Sequence, residues 1–262
     1  MREKTSIIRR IMRLLFVTNL AAFCLLLREG KRKAFAYLHQ IWTIYIWRQA
    51  LALRSTHPLL LPEIPIEMLY PSIDLSQIEL LYPLPRAGGV RVDELVIISA
   101  IVRHLKPKRL VKIGTAEGRT TLNLALHSPQ DSEVITLDLP PDASPAKPES
   151  GCDYRQMGIP EPGVLFKNHP LSQKIRLILA DSTKFDWKPY EGGVDFVFID
   201  GAHDYESVKK DTENALKIVK IGGVILWHDY GVVDGVTKCL NELATQLPIC
   251  FISGTNLAHL RK

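Results

Sequence analysis

Cysteine is sparse in this sequence: Cys24, Cys152, Cys239 and Cys250 stand far apart and no C-x-x-C pair occurs. That excludes a disulfide framework and a cysteine zinc knuckle, and with no cleavable signal peptide evident a reducing cytoplasm is the expected compartment. Long apolar runs are lacking too. Residues 14–27 (LLFVTNLAAFCLLL) are interrupted by Thr18 and Asn19, and they fall short of the ~20 residues needed to span a bilayer as a helix. The spacing G-x-G-x-x-G, which cradles a dinucleotide pyrophosphate, is also missing. Basic charge is scarce outside the first fifth of the chain. Residues 1–56 carry 11 Lys/Arg against 2 Asp/Glu, a net +9, whereas residues 57–262 carry 22 against 26, a net −4. A core evolved to grip nucleic acid would carry the positive charge itself, so no nucleic-acid partner is expected.

What is present is an ordinary globular balance, 46% hydrophobic and 23% charged over 262 residues, enough for one large α/β domain with an appendage. Residues 1–56 read as a basic, apolar helical arm, in which two short apolar segments flank REGKRK (28–33). Prolines at 58, 62, 65, 71, 83 and 85 forbid long regular elements and make residues 57–91 a linker or irregular cap. From 92 to 262 a helix (92–105) precedes alternating strands and helices, the pattern of a doubly wound parallel sheet. Strands are predicted near 110–113, 134–137, 175–179, 195–199 and 224–227, and helices near 118–127, 205–219 and 233–246. The tail, PICFISGTNLAHLRK, predicts a closing antiparallel hairpin around Ser253-Gly254. Residues 140–170, rich in Pro and Gly, form an insertion suited to a lid.

Five strand-end motifs carry chemistry. VKIGTAEGRTTLNLA (111–125) runs a strand through Gly114 and Gly118 into a helix, permitting a tight turn and close backbone approach at the carboxyl edge. VITLDLP places Asp138 about twenty residues on, where an acid accepts from ribose hydroxyls. IRLILADSTKFD sets Asp181 and Ser182 at a third strand end, as an adenine-facing pair or an ordinary turn starter. FVFIDGAHDYESVKKDTENALKIV and GGVILWHDYG bring Asp200, His203, His228 and Asp229 to two further ends. Charged groups converging on one crevice imply a ligand, a metal or a proton to move. Asp204 reads as a helix N-cap, and Tyr205 and Tyr230 line a substrate pocket or pack beside the strand ends.

From about Leu110 onward these motifs resemble class I S-adenosylmethionine-dependent methyltransferases, in particular a bacterial group similar to macrocin O-methyltransferases and cephalosporin-hydroxylase-like proteins. FIDGAHDYESVKKDTENALK, GGVILWHDYG and the closing GTNLA carry most of the likeness. The resemblance implies a Rossmann-like, doubly wound, seven-stranded α/β sheet with an antiparallel last strand. It puts Gly114, Thr115, Glu117 and Gly118 around the methionine portion of S-adenosylmethionine, Asp138 at the ribose, and Asp181 with Ser182 at the adenine. Asp200 would lie near the reacting methyl. In relatives resembling catechol O-methyltransferase, acids after the fourth and fifth strands bind Mg2+, and the corresponding positions are Asp200, His228 and Asp229. Two departures stand out. Lys112 occupies the place where the family has an acid that helps hold the cofactor's amino group, and His228 replaces an oxygen ligand.

The expected reaction is methyl transfer to a hydroxyl of a small molecule or a glycan, with Asp200, His203 and Asp229 as the catalytic set and His203 or Asp229 as the base. The rivals are a non-catalytic binding protein on the same fold, for which Lys112 argues, and a NAD-dependent oxidoreductase. Residues 1–47 are suited to an anionic membrane surface or to packing on the core or on a second subunit of a homo-oligomer.

Overall fold

A computed structural model describes residues 55–85, 89–140 and 161–262. All of the basic arm but residues 55 and 56 therefore lies outside the described residues, as does most of the insertion after Pro140. Residues 55–262 belong to one compact unit.

Eight strands form a single sheet: β1 (Glu63–Ile64), β2 (Arg109–Ile113), β3 (Glu133–Asp138), β4 (Ile175–Leu179), β5 (Val194–Ile199), β6 (Val219–Trp227), β7 (Cys250–Ile252) and β8 (Ala258–Arg261). Their order is β1-β7-β8-β6-β5-β2-β3-β4. Strands β2 to β6 run parallel, and β8 lies antiparallel to both β6 and β7. The expected seven strands and terminal hairpin are therefore present, with one addition. Glu63 and Ile64, bracketed by Pro62 and Pro65, pair in parallel with β7, tied by Phe251 N–H to Pro62 O (2.9 Å) and Ser253 N–H to Ile64 O (3.0 Å). Proline excludes a long or central strand but tolerates a two-residue edge.

The strands are apolar because helices cover both faces. On one side lie α2 (Val92–Leu105) and α3 (Arg119–His127), which follow the single turn α1 (Ile66–Leu69); on the other lie α4 (Tyr205–Ile218) and α5 (Asp234–Leu243). The twofold alternation of a strand divides the core accordingly. Val111, Ile113, Val197, Ile199, Ile225 and Trp227 pack with Val208 and Ala215 of α4. Leu110, Phe196, Phe198, Val224 and Leu226 pack with Leu95 and Ile98 of α2 and Leu124 of α3. Burying one such leucine or phenylalanine contributes ~1.5–3 kcal/mol.

Strand order reverses between β2 and β5, since the chain builds outward from β2 through β3 to β4 and then returns to the other side of β2. Such a switch point opens a crevice at the carboxyl ends of the two strands. There the turns are stitched together by Gly114 N–H to Leu137 O, Asp200 N–H to Ile113 O and His228 N–H to Ile199 O, at 2.9–3.0 Å.

Candidate functional site

The turn after β2 sits at this crevice. Gly114 adopts φ +86°, and a Cβ there would collide with the backbone carbonyl of Asp200. Gly118 (φ +95°) similarly leaves no room between itself and the Phe166 ring. The close approach that these glycines allow is thus first of all an approach of the chain to itself. Asp138, at the end of β3, holds the turn: its Oδ2 accepts from Thr115 N–H (2.6 Å) and Ala116 N–H (2.8 Å), and its Oδ1 from Leu139 N–H (2.8 Å). From the far end of the insertion, Gly163 N–H and Leu165 N–H reach Ala116 O and Glu117 O. Asp181 is engaged locally by Thr183 and by Lys184 (2.9 Å), and the carbonyl of Ser182 accepts from Trp187 Nε1–H (2.9 Å).

Asp200, His203, His228 and Asp229 come together past β5 and β6, as the motif positions predicted. His228 Nδ1 lies 3.3 Å from Asp200 Oδ1 and 3.2 Å from Asp229 Oδ2, and His203 Nε2 lies 3.0 Å from Asp229 Oδ2. Neither ring nitrogen has the alignment of a hydrogen bond. Asp229 takes a left-handed backbone (φ +64°), one that Asp tolerates better than most side chains. A small recess adjoins the cluster, lined by Asp200, His203 and His228 with Val208, Trp227 and Val236.

The charges are mutually dependent. Burial alone would raise the carboxyls of Asp200 and Asp229 and lower the two imidazoles, but proximity reverses each tendency. Asp200 is held below the usual carboxylate range by Lys112 and His228, and Asp229 far below it by His228 and His203. The same carboxylates lift His203, and lift His228 well above the ordinary imidazole value.

Residues 111–230 match a family model described as a methyltransferase domain. That span holds the Gly-rich turn, Asp138, Asp181 and the whole ionisable cluster. The chain is 31% identical over 148 residues to a caffeoyl-CoA O-methyltransferase of Populus kitakamiensis, covering 55% of this chain and 57% of that one. It is 29% identical over 147 residues to a flavonoid 3',5'-methyltransferase of Vitis vinifera, covering 54% and 55%. The chain thus spans little more than half the length of these curated relatives. The fold is shared with the solved O-methyltransferase NovP, at a TM-score of 0.54 and 18% identity over 66% of this chain and 80% of that one.

Within the matched span, Lys112 is 2% exposed and lies on the α2/α3 side of β2. Its ammonium donates to Gly114 O and to Asp200 Oδ2 (3.1 Å) and stands over the Phe198 ring, 5.3 Å from the centroid. The reversed charge is therefore satisfied inside the protein. Glu94 has no counterpart in the sequence motifs. It is fully buried on α2, where Oε1 accepts from Asn256 N–H (2.8 Å) and Oε2 from Arg91 N–H (3.0 Å) and His228 Nε2 (3.1 Å). Burial opposes its ionisation, but the hydrogen bond and charge of His228 outweigh it and bring the carboxyl below its ordinary value. Its only sequence signal is a first-turn acid three residues after Arg91, which reads as half of a capping box. Arg119, also unforeseen, is 4% exposed and donates to the carbonyls of Tyr82, Pro83 and Val90, fastening the Pro-rich segment to α3.

Asp204 caps α4 through Ser207 N–H (3.1 Å) as predicted. Tyr230 serves packing: its hydroxyl accepts from Leu60 N–H and Leu61 N–H and donates to Asn241 Oδ1.

Proposed function

We propose that this domain transfers a methyl group from S-adenosylmethionine to a hydroxyl of a small molecule. The observation that carries the reading is the placement of a half-buried Asp/His cluster beside the Gly-rich turn, at the switch point of a sheet whose central span matches a methyltransferase domain. Named relatives act on caffeoyl-CoA and a flavonoid, which favours a phenolic acceptor; the likeness of FIDGAHDYESVKKDTENALK to the macrocin group extends the range to sugar hydroxyls of a glycan.

The donor set suits a cofactor carrying a ribose diol. A carboxylate offers about four acceptor positions, and Asp138 uses three on Thr115, Ala116 and Leu139, keeping one lone pair for a hydroxyl. Gly114, Thr115, Glu117 and Gly118 would surround the methionine portion, and Asp181 with Ser182 the adenine. When bound, the cofactor supplies a methyl group on an electron-poor sulfonium. The chain then has to align the acceptor oxygen and remove its proton. His203 is the group for this: Asp229, 3.0 Å from Nε2, orients the ring and stabilises the imidazolium formed when the hydroxyl proton arrives at the other ring nitrogen, Nδ1. Asp200, fixed by Lys112, stands beside it.

Calorimetry on the full chain with S-adenosylmethionine, its demethylated product and NAD tests the reading. Binding of either sulfur ligand and not of NAD is expected. Failure of both sulfur ligands at millimolar concentration would leave a non-catalytic binding protein as the account. For residues 1–47 we propose a peripheral seat on anionic membrane in the cytoplasm, supported by apolar segments that flank REGKRK. Among the described residues no helix is long and apolar enough to cross a membrane.

A further inference from the structure

Two imidazole nitrogens in the cluster are turned toward carboxylates without hydrogen bonding to them. His228 is 6% exposed, and its Nδ1, like His203 Nε2, lies within ion-pair distance of a carboxylate but lacks the alignment of a hydrogen bond. The Glu94 carboxylate accepts from Nε2–H of His228, so an ion that displaced the proton of Nδ1 would meet a lone pair aimed at Asp200 and Asp229. The nitrogen-to-oxygen separations are 3.0, 3.2 and 3.3 Å. Donors around a tetrahedral ion with bonds of ~2.0–2.1 Å stand ~3.3–3.4 Å apart. Ligand atoms of Asp200, His203 and Asp229 also all lie within 4.8 Å of one another.

Magnesium does not fit this donor set. It demands near-octahedral oxygen coordination and is held chiefly by carboxylate charge. Here half of the donors are imidazoles, and the Lys112 ammonium already sits on Oδ2 of Asp200, offsetting one of the two carboxylate charges. An ion that gains bonding energy from nitrogen loses far less by that arrangement.

We infer that Asp200, His203, His228 and Asp229 form a site for one first-row transition-metal dication of the zinc and cobalt type, selected against magnesium by its two imidazoles. Asp200 offers Oδ1, Asp229 Oδ2, His203 Nε2 and His228 Nδ1. An ion on His203 Nε2 replaces the Asp229 contact that stabilises the imidazolium, so the general-base role belongs to the chain without the ion.

The site is tested without any methyl donor, so its failure leaves the methyl-transfer reading standing, and the converse holds. The full chain, freed of metal with a chelator, is titrated with Co2+ and its visible d–d absorption followed. The expected result is a band that saturates at one equivalent, is abolished by equimolar Zn2+ and persists in a hundredfold excess of Mg2+. His203→Ala, at a partly exposed position that the core does not depend on, should weaken Co2+ binding at least tenfold and alter the band, with far-UV circular dichroism unchanged. The inference is overturned if no saturable band forms, if Mg2+ displaces Co2+ at comparable concentration, or if His203→Ala binds and absorbs like the parent.

Discussion

Asp211, on α4, is fully buried and neither carboxylate oxygen has a hydrogen-bond partner. Burial pushes its pKa up from 3.8 to about 7, against a partial lowering by the nearby Ser182 side chain. Below pH ~3.8 the carboxyl is protonated in both folded and unfolded chains and carries no pH-dependent cost. Between that pH and about 7 the unfolded chain releases its proton while the folded one keeps it, so stability falls by ~1.4 kcal/mol per pH unit. The full loss, reached above pH 7, is ~4 kcal/mol, an upper figure because local rearrangement would relieve part of it. Asp211→Asn keeps the shape and removes the charge. Urea unfolding of parent and variant at pH 4, 6 and 8 isolates the group, because the other titrations cancel in the difference. The stability of the variant relative to the parent should rise steadily from pH 4 to pH 8. A difference that stays flat across this range would refute the assignment.

Asp138→Ala should weaken S-adenosylmethionine binding by ~1.5–3 kcal/mol in calorimetry, through loss of the ribose acceptor and release of the Thr115 and Ala116 amides; unchanged affinity would remove Asp138 from the site. Lys112→Met leaves Asp200 without its cation and should cost ~3 kcal/mol in thermal or urea unfolding, whereas a neutral result would mean that the pair contributes nothing net. Full-length protein should float with anionic liposomes, lose binding as salt rises, and stop floating when residues 1–47 are deleted. A truncated form that instead changes oligomeric state would mark the arm as an assembly element.

The parallel core was legible because it is built from local signals. Runs such as VITL and FVFI are almost wholly apolar, as strands covered on both faces must be, and helices between them begin and end at readable caps such as Asp204. The strand-end acids were legible for the same reason, since each directly follows such a run. What escaped were features decided by distant partners. The edge strand at Glu63–Ile64 exists only because β7 offers an unpaired side, and nothing in two residues between prolines announces it. Nothing local marks Arg119 for burial, and only the carbonyls of Tyr82, Pro83 and Val90 bring it inside.

Lys112 and Glu94 are the sharpest cases, because alternation and amphipathicity assign both positions to the apolar α2/α3 face, where an ionised side chain is costly unless paired. Each is paired with one end of a functional group. Lys112 occupies Oδ2 of Asp200 and Glu94 occupies Nε2 of His228, from opposite sides of the same layer. The atoms left over, Asp200 Oδ1 and His228 Nδ1, are therefore the two that face each other at 3.3 Å. Removing either buried charge would leave its partner uncompensated in this layer, so each of the two holds one atom of the cluster in place. A lysine in a strand that ought to be wholly apolar is then a sign of a site on the adjoining strands, legible once the fold places β5 and β6 beside it.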